Sequence, residues 1–172
     1  MIRPTSLLLW VMLASICVGC GYHAVGRGGA YPGGITSIGF FPLENRTTEP
    51  NLEAKLLAAL RKEIISRRDI DVAASTSAQG VLRGKVTTFT TGSIAYDREA
   101  RAREYRVTIG VDMELIRRRD GTLLWKGNNI QRHREYRASS EVLINEESKN
   151  NALRDLVEEL AEEIYFRMKE GF

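Results

Sequence analysis

Tyr105-Arg106-Val107-Thr108-Ile109-Gly110-Val111-Asp112-Met113-Glu114-Leu115 alternates apolar and polar side chains almost without interruption. Successive side chains of a strand point to opposite faces, so Tyr105, Val107, Ile109, Val111, Met113 and Leu115 share one face. Arg106, Thr108, Asp112 and Glu114 share the other. Such a strand belongs to a sheet with one face in a core and one in water. Downstream, Asp120-Gly121 signals a hairpin with a two-residue type I′ turn, because that turn needs positive φ, which Gly adopts freely and Asp tolerates. The chain then returns through Thr122-Leu123-Leu124-Trp125 and past Ile130 toward Tyr136, with Gly127-Asn128-Asn129 suggesting a bulge. Upstream, residues 81–91 are β-branched and alternating, and a stretched loop from 91 to 103 is expected to join them to the Tyr105 strand.

Helical spacing appears on both sides of this β-rich centre. Leu52, Leu56, Leu60 and Ile64 recur every four residues with Ala59 beside them, behind Pro50 and a capping Thr48. Arg61, Lys62, Arg67 and Arg68 complement the dipole at the far end of that helix. A last helix carries Leu153, Leu156, Val157, Leu160, Ala161, Ile164 and Met168 on one stripe and Glu158, Glu159, Glu162 and Glu163 on the other, read as a solvated face. Residues 35–41 suit a short buried strand ending at Pro42, residues 44–49 a polar loop, and residues 70–73 a second short strand. The expected architecture is α+β: a two-layer sandwich with two helices on one face of a mostly antiparallel, mixed sheet. Residues 35–172 form this single α/β domain.

The chain has 172 residues, 43% hydrophobic and 27% charged, which fits one globular domain with a core. A formal charge of +3 is too small to indicate a nucleic-acid binder. The distribution is less even: residues 83–137 carry 13 basic and 7 acidic side chains, residues 138–172 carry 4 and 9. Catalytic machinery cannot be assembled from this inventory. The two histidines, His23 and His133, are far apart, and His133 lies between Arg132 and Arg134, whose charges compete with a divalent metal. Glycines 21 to 34 lack the strand before and helix after that a dinucleotide site requires. Asp97, Glu99 and Glu104 are interleaved with arginines and read as charge pairs. No catalytic residue, metal site or cofactor is assigned.

The first 19 residues read as a cleaved signal peptide: Arg3, then an apolar run from Leu7 to Val18 shorter than the roughly 20 residues of a membrane span. The run ends in Ile16-Cys17-Val18-Gly19-Cys20, which resembles the bacterial lipobox and makes Cys20 the lipidated first residue of the mature chain. The plainer alternative is a secretory signal whose two cysteines pair or lie unused. Gly21 after Cys20, in place of the Asp that retains lipoproteins at the inner membrane, points to the outer membrane. Residues 20–34, with six glycines and Pro32, form a tether.

Arginine is the informative residue of the centre, because its guanidinium stays charged and binds phosphate bidentately. Arg98, Arg101, Arg103 and Arg106 gather around one strand connection next to Tyr96; Arg117, Arg118 and Arg119 precede Asp120; Arg132, Arg134 and Arg137 follow. The plain reading of these arginines is edge charge that deters strand pairing.

Taken along its length, the mature chain resembles the LptE family of lipopolysaccharide-assembly lipoproteins. The resemblance rests on Cys20-Gly21-Tyr22, Ile35-Thr36-Ser37-Ile38-Gly39-Phe40-Phe41, Asn45-Arg46-Thr47, Leu82-Arg83-Gly84-Lys85-Val86, Tyr96-Asp97, Tyr105-Arg106-Val107, Asp120-Gly121 with Leu124-Trp125, and the terminal helix. It implies a non-enzymatic protein, lipid-anchored at the periplasmic face of the outer membrane, that plugs and helps assemble the LptD β-barrel and contacts lipopolysaccharide. The ligand-contacting tip is then expected at Arg98, Arg101 and Arg103, with Arg106 and Tyr96 helping. A lipoprotein of the curli-secretion or penicillin-binding-protein-activator type, acting as a protein-interaction module, remains open as an alternative.

The anchor is testable on its own. Cys20→Ala should abolish palmitate labelling and signal processing and release the protein from membrane fractions; a variant that still labels and sediments with membranes contradicts the assignment.

Overall fold

The computed structural model describes residues 31–138 and 142–171. The signal, Cys20 and most of the tether lie outside the described residues. A 3-10 turn at Pro32–Gly34 leads into β1 (Ser37–Phe40), β2 (Glu44–Asn45), α1 (Leu52–Arg67), β3 (Asp71–Val72), β4 (Gly80–Tyr96), β5 (Ala102–Arg117), β6 (Leu123–Arg137) and α2 (Val142–Glu170). The strands form one open sheet in the order β3-β1-β4-β5-β6, with β2 following β1 along the same edge of β4. Pairing is parallel among the short strands and onto β4, and antiparallel through the long β4-β5-β6 meander. Both helices cover one face, as the α+β expectation required.

The alternating run of β5 organises the core. Val107, Ile109, Val111, Met113 and Leu115 are all 0% exposed. In register, Leu82 of β4 and Trp125 of β6 flank Leu115, and Val86 and Ile130 flank Val111. Leu52, Leu56, Leu60 and Ile64 of α1 and Leu153, Leu156, Leu160 and Ile164 of α2 close over this surface. Full burial of each such side chain contributes roughly 1.5–3 kcal/mol, so the covered face is the main source of stability. Tyr105 ends the row half-buried and stacks on Tyr136 with ring centroids 5.5 Å apart.

Several local expectations are corrected. Residues 91–96 are strand, not loop: Thr91 pairs Val107, Ser93 pairs Tyr105 and Tyr96 pairs Ala102. Their small polar residues carry no core pattern, and the backbone ladder to β5 keeps them extended, with register shifts around Ile94 and Arg103. The β5–β6 turn is not type I′. Only Gly121 has positive φ (71°), and Arg117 N–H to Thr122 C=O closes a longer loop through Arg118, Arg119 and Asp120. Asp120 stabilises it by accepting from the Thr122 N–H and hydroxyl. Residues 44–45 pair with Lys85 and Val86 as β2.

The cap of α1 is Asn51, in the left-handed region at φ 60°, rather than Thr48. The approach to α1 is instead tied by Asn45, whose amide donates to the Glu49 carbonyl and Glu53 carboxylate while its carbonyl accepts from Thr47. The bulge at Gly127-Asn128-Asn129 is present: Val111 pairs Ile130, Met113 pairs Gly127, and the Asn129 N–H is received by Asp112 at 2.9 Å.

The glutamate row of α2, exposed at Glu158, Glu159 and Glu162 and half-buried at Glu163, is engaged. Glu158 accepts from Lys62 and Glu162 from Arg67 of α1; Glu163 receives Arg132 and Glu159 receives Arg134 of β6. Asp155 joins Arg134 at 3.2 Å. Arg132 and Arg134 stand opposite Ile109 and Val107, on the helix-facing side, so they clamp α2 to the sheet edge.

Val111 sits at the centre of the covered face, and an aspartate there would be a buried charge without a partner. Val111→Asp is expected to cost several kcal/mol and to unfold the domain or prevent its accumulation. An unchanged melting temperature would show that the face assignment is inverted.

Candidate functional site

The antiparallel meander places the arginine clusters at opposite poles. β5 spans 16 residues, about 50 Å at 3.4 Å per residue, and its two hairpins lie at its two ends. One pole is the β4–β5 turn, with Tyr96, Arg98, Arg101 and Arg103; the other is the β5–β6 turn, with Arg117, Arg118 and Arg119.

At the first pole the turn is built around Asp97. Its carboxylate accepts from the Glu99 and Arg101 N–H groups and from the Arg101 guanidinium, while its own N–H donates to the Arg101 carbonyl. The Arg101 backbone N–H leads the interactions that hold the Asp97 carboxyl below its ordinary range. Ala100 takes a left-handed φ of 59° to close the turn. Arg101 is thus committed to Asp97 and to Glu99 at 3.3 Å. Arg106 lies on the uncovered face and pairs with Glu135 at 2.6 Å. Arg98 and Arg103 are exposed and have no ion pair among the described residues. Tyr96 is 63% exposed and Ile94 39%. Of the five residues expected to act together, Tyr96, Arg98, Arg101 and Arg103 gather at this turn, Arg98 and Arg103 hold uncommitted charge, and Arg106 belongs to the neighbouring ladder.

The second pole collects the start of the domain and the ends of both helices. Here the structure contains a cluster that sequence reasoning missed. The Asp69 carboxylate, just past α1, accepts from the Tyr31 hydroxyl at 3.0 Å and the Tyr165 hydroxyl at 2.6 Å, and it also receives Lys169. Lys169 lies over the Tyr31 and Tyr165 rings, and Arg67 over Tyr165 and Phe166. Burial opposes ionisation of Asp69, but hydrogen bonds from Lys169, Tyr165 and Tyr31 outweigh it and hold its carboxyl below the ordinary value. Burial likewise opposes charge on Lys169, and the hydrogen bonds and charges of Asp69 and Tyr165 together outweigh it and raise its value. Burial, reinforced by the Asp69 charge, pushes the Tyr31 phenol up. The partners are 38, 96 and 100 positions apart, so no local pattern signals them.

His133 pairs with Thr108 in the ladder and is exposed. Among the described residues, no three His, Cys, Asp or Glu side chains are grouped to hold a metal ion. Likewise, no helix there is long and apolar enough to cross a membrane.

With this geometry in view, a family model described as LptE, lipopolysaccharide-assembly, matches residues 36–168. The chain belongs to the LptE family. The match covers the whole sheet, α1 and nearly all of α2, and the family is one of lipopolysaccharide assembly rather than catalysis. No curated protein matches the sequence. Solved structures share the fold at low identity. Rare lipoprotein B of Shewanella oneidensis is similar at TM-score 0.57 and 14% identity, over 78% of this chain and 94% of that one. Lipoprotein B of Nitrosomonas europaea is similar at TM-score 0.56 and 10% identity, over 81% and 85%. A minor lipoprotein of Acinetobacter baumannii is similar at 0.50 and 17%, over 78% and 91%. At these identities the likeness speaks for the LptE fold alone.

The Asp69 cluster has a definite pH signature. The lowered Asp69 value makes its stabilising share full above about pH 4 and lost as pH falls through the depressed folded value. The raised Lys169 value makes its share full below about pH 10 and lost as pH rises through the raised value. Asp69→Asn should therefore cost about 1–2 kcal/mol near neutrality and lower the melting temperature by a few degrees. The loss should shrink toward both pH extremes; thermal unfolding across pH checks this, and an equal loss at every pH contradicts it.

Proposed function

We propose that this LptE-family protein is an outer-membrane lipoprotein, anchored through Cys20 at the periplasmic face, that seats in the LptD β-barrel and contacts lipopolysaccharide with its β4–β5 pole. The observation that carries the reading is the family match over residues 36–168. The pole supports it chemically. Lipopolysaccharide offers phosphates on sugars and acyl chains, and the turn presents the uncommitted Arg98 and Arg103 beside exposed Tyr96 and Ile94. Guanidinium groups suit the phosphates, and the ring and Ile94 suit the sugars and chains. The role is binding and assembly, without a bond made or broken.

Seating in a barrel buries a broad surface, so single exposed substitutions should disturb it little. Purification of the lipidated protein from membranes should bring down one large β-barrel. A peptidoglycan synthase, or a ring of the protein itself, would favour the penicillin-binding-protein-activator or curli-secretion type instead.

Ligand contact is tested by replacing Arg98 and Arg103 with Glu, which leaves the Asp97 turn and the Arg106–Glu135 pair intact. Charged hydrogen bonds contribute roughly 1.5–3 kcal/mol each, so losing both should weaken lipopolysaccharide binding at least about tenfold. Binding that persists unchanged at low and physiological salt removes this pole from the mechanism.

A further inference from the structure

We propose that the opposite pole, at Arg117, Arg118 and Arg119, is a docking surface for the phosphate headgroups of anionic phospholipids. Two of the three guanidinium groups are held in place by backbone carbonyls. Arg117 donates to Gly33 C=O and Arg118 to Ala78 C=O, each at 3.1 Å. Carbonyl anchoring fixes direction without cancelling charge, leaving other N–H donors for an anion. Arg119 is 83% exposed. The one carboxylate paired with the trio among the described residues is Asp120, 3.8 Å from Arg117 and 3.6 Å from Arg119.

This separates the trio from the other basic clusters. Arg132 and Arg134 are taken by α2 carboxylates, and at the first pole Arg101 is taken by Asp97 and Glu99 while Arg98 and Arg103 stand without carbonyl anchors among the described residues. Here three arginines face one aspartate. They border an open cleft whose floor is Gly34, Ile35, Ser77 and Gln79. Leu123, 52% exposed, stands just past the same turn. Cationic side chains beside an exposed aliphatic one suit a headgroup layer, where phosphates lie above acyl chains.

The chain before the domain selects the partner. Tyr31 is tied to Asp69 at this pole, and Cys20 lies eleven residues earlier. Eleven extended residues reach at most about 40 Å, whereas the first pole is about 50 Å farther along β5. With an acyl anchor at Cys20, the Arg117–Arg119 pole is the end that stays near the leaflet surface. This step rests on the anchor reading above. A lipid anchor joined to a basic patch is the two-signal arrangement that gives stable membrane attachment.

The test uses the full mature chain carrying Cys20→Ser, so that binding does not depend on an acyl group. Sedimentation with vesicles of phosphatidylglycerol in phosphatidylcholine is compared with pure phosphatidylcholine. We expect binding to the anionic vesicles only, lost at high salt, and reduced roughly fivefold per arginine in Arg119→Gln and in Arg117→Gln with Arg119→Gln. Because Arg117 also holds Gly33, the exposed Arg119→Glu variant serves as the arm free of a folding effect. Arg98→Gln with Arg103→Gln should leave vesicle binding unchanged. Equal binding to neutral vesicles, no effect of the Arg119 variants, or an equal loss from the Arg98 and Arg103 variants would overturn the proposal. Displacement by millimolar inorganic phosphate would replace it with a free-phosphate site, and binding to lipopolysaccharide vesicles but not phosphatidylglycerol would assign the pole to that ligand. An unlabelled Cys20 would sink the anchor reading while leaving this measurement intact.

Discussion

The apolar row of β5 has to be kept from water, and the rest of the fold follows from how that is done. Val107 through Leu115 present five fully buried side chains on one face of a strand whose other face carries Arg106, Asp112 and Glu114. β4 and β6 widen the surface with Leu82, Val86, Trp125 and Ile130, and two amphipathic helices close it. Among the described residues nothing covers the second face, where charges pair across strands instead: Glu114 with Arg83 and Lys126, and Asp112 with Lys85 at 3.4 Å. Such exposed pairs contribute little individually and chiefly keep the face wet and the register defined.

The covering helices explain what became of the basic centre. A sheet edge that offers Arg132 and Arg134 to a helix lined with Asp155, Glu159 and Glu163 spends its charge on itself. Of the positive middle, Arg132 and Arg134 are matched by the acidic end of the chain, while Arg83, Lys85, Arg101, Arg106 and Lys126 pair with carboxylates of the middle itself. Charge left for a partner remains at the two poles, where turns project past the helices' carboxylates. Under the proposed function, that arrangement separates a pole for the glycolipid from a pole beside the anchored end of the chain.

The Asp69 cluster bears on this division because it joins the first described residue, Tyr31, to the ends of both helices. It sets where the chain enters the domain, beside the Arg117–Arg119 pole. Tyr31 and Tyr165 are themselves buried in the hydrophobic core, so the cluster ties the entry of the chain to the covered face.

Periodic elements were legible in the sequence because their physics is local. Alternation in 105–115 identified the central strand and its buried face, the four-residue spacing of Leu52 to Ile64 and the stripe from Leu153 to Met168 identified both helices, and together they determined a two-layer α+β domain. Gly127-Asn128-Asn129 marked a real bulge for the same reason. Elements without a period of their own were decided by tertiary structure. Residues 91–96 are extended because β5 pairs with them, residues 44–45 because β4 has a free edge, and Gly121 closes a longer turn because Arg117 and Thr122 are brought into register. The arginines show the same limit: their positions can be read from the sequence, but whether each charge is spent depends on carboxylates far away in the chain. Arg134 meets Glu159 and Lys169 meets Asp69 only when the sheet and helices are packed. Sequence by itself thus determined the layers and the family resemblance, while the partition of charge between internal clamps and exposed poles was decided by folding, because long-range ion pairs carry no local signature.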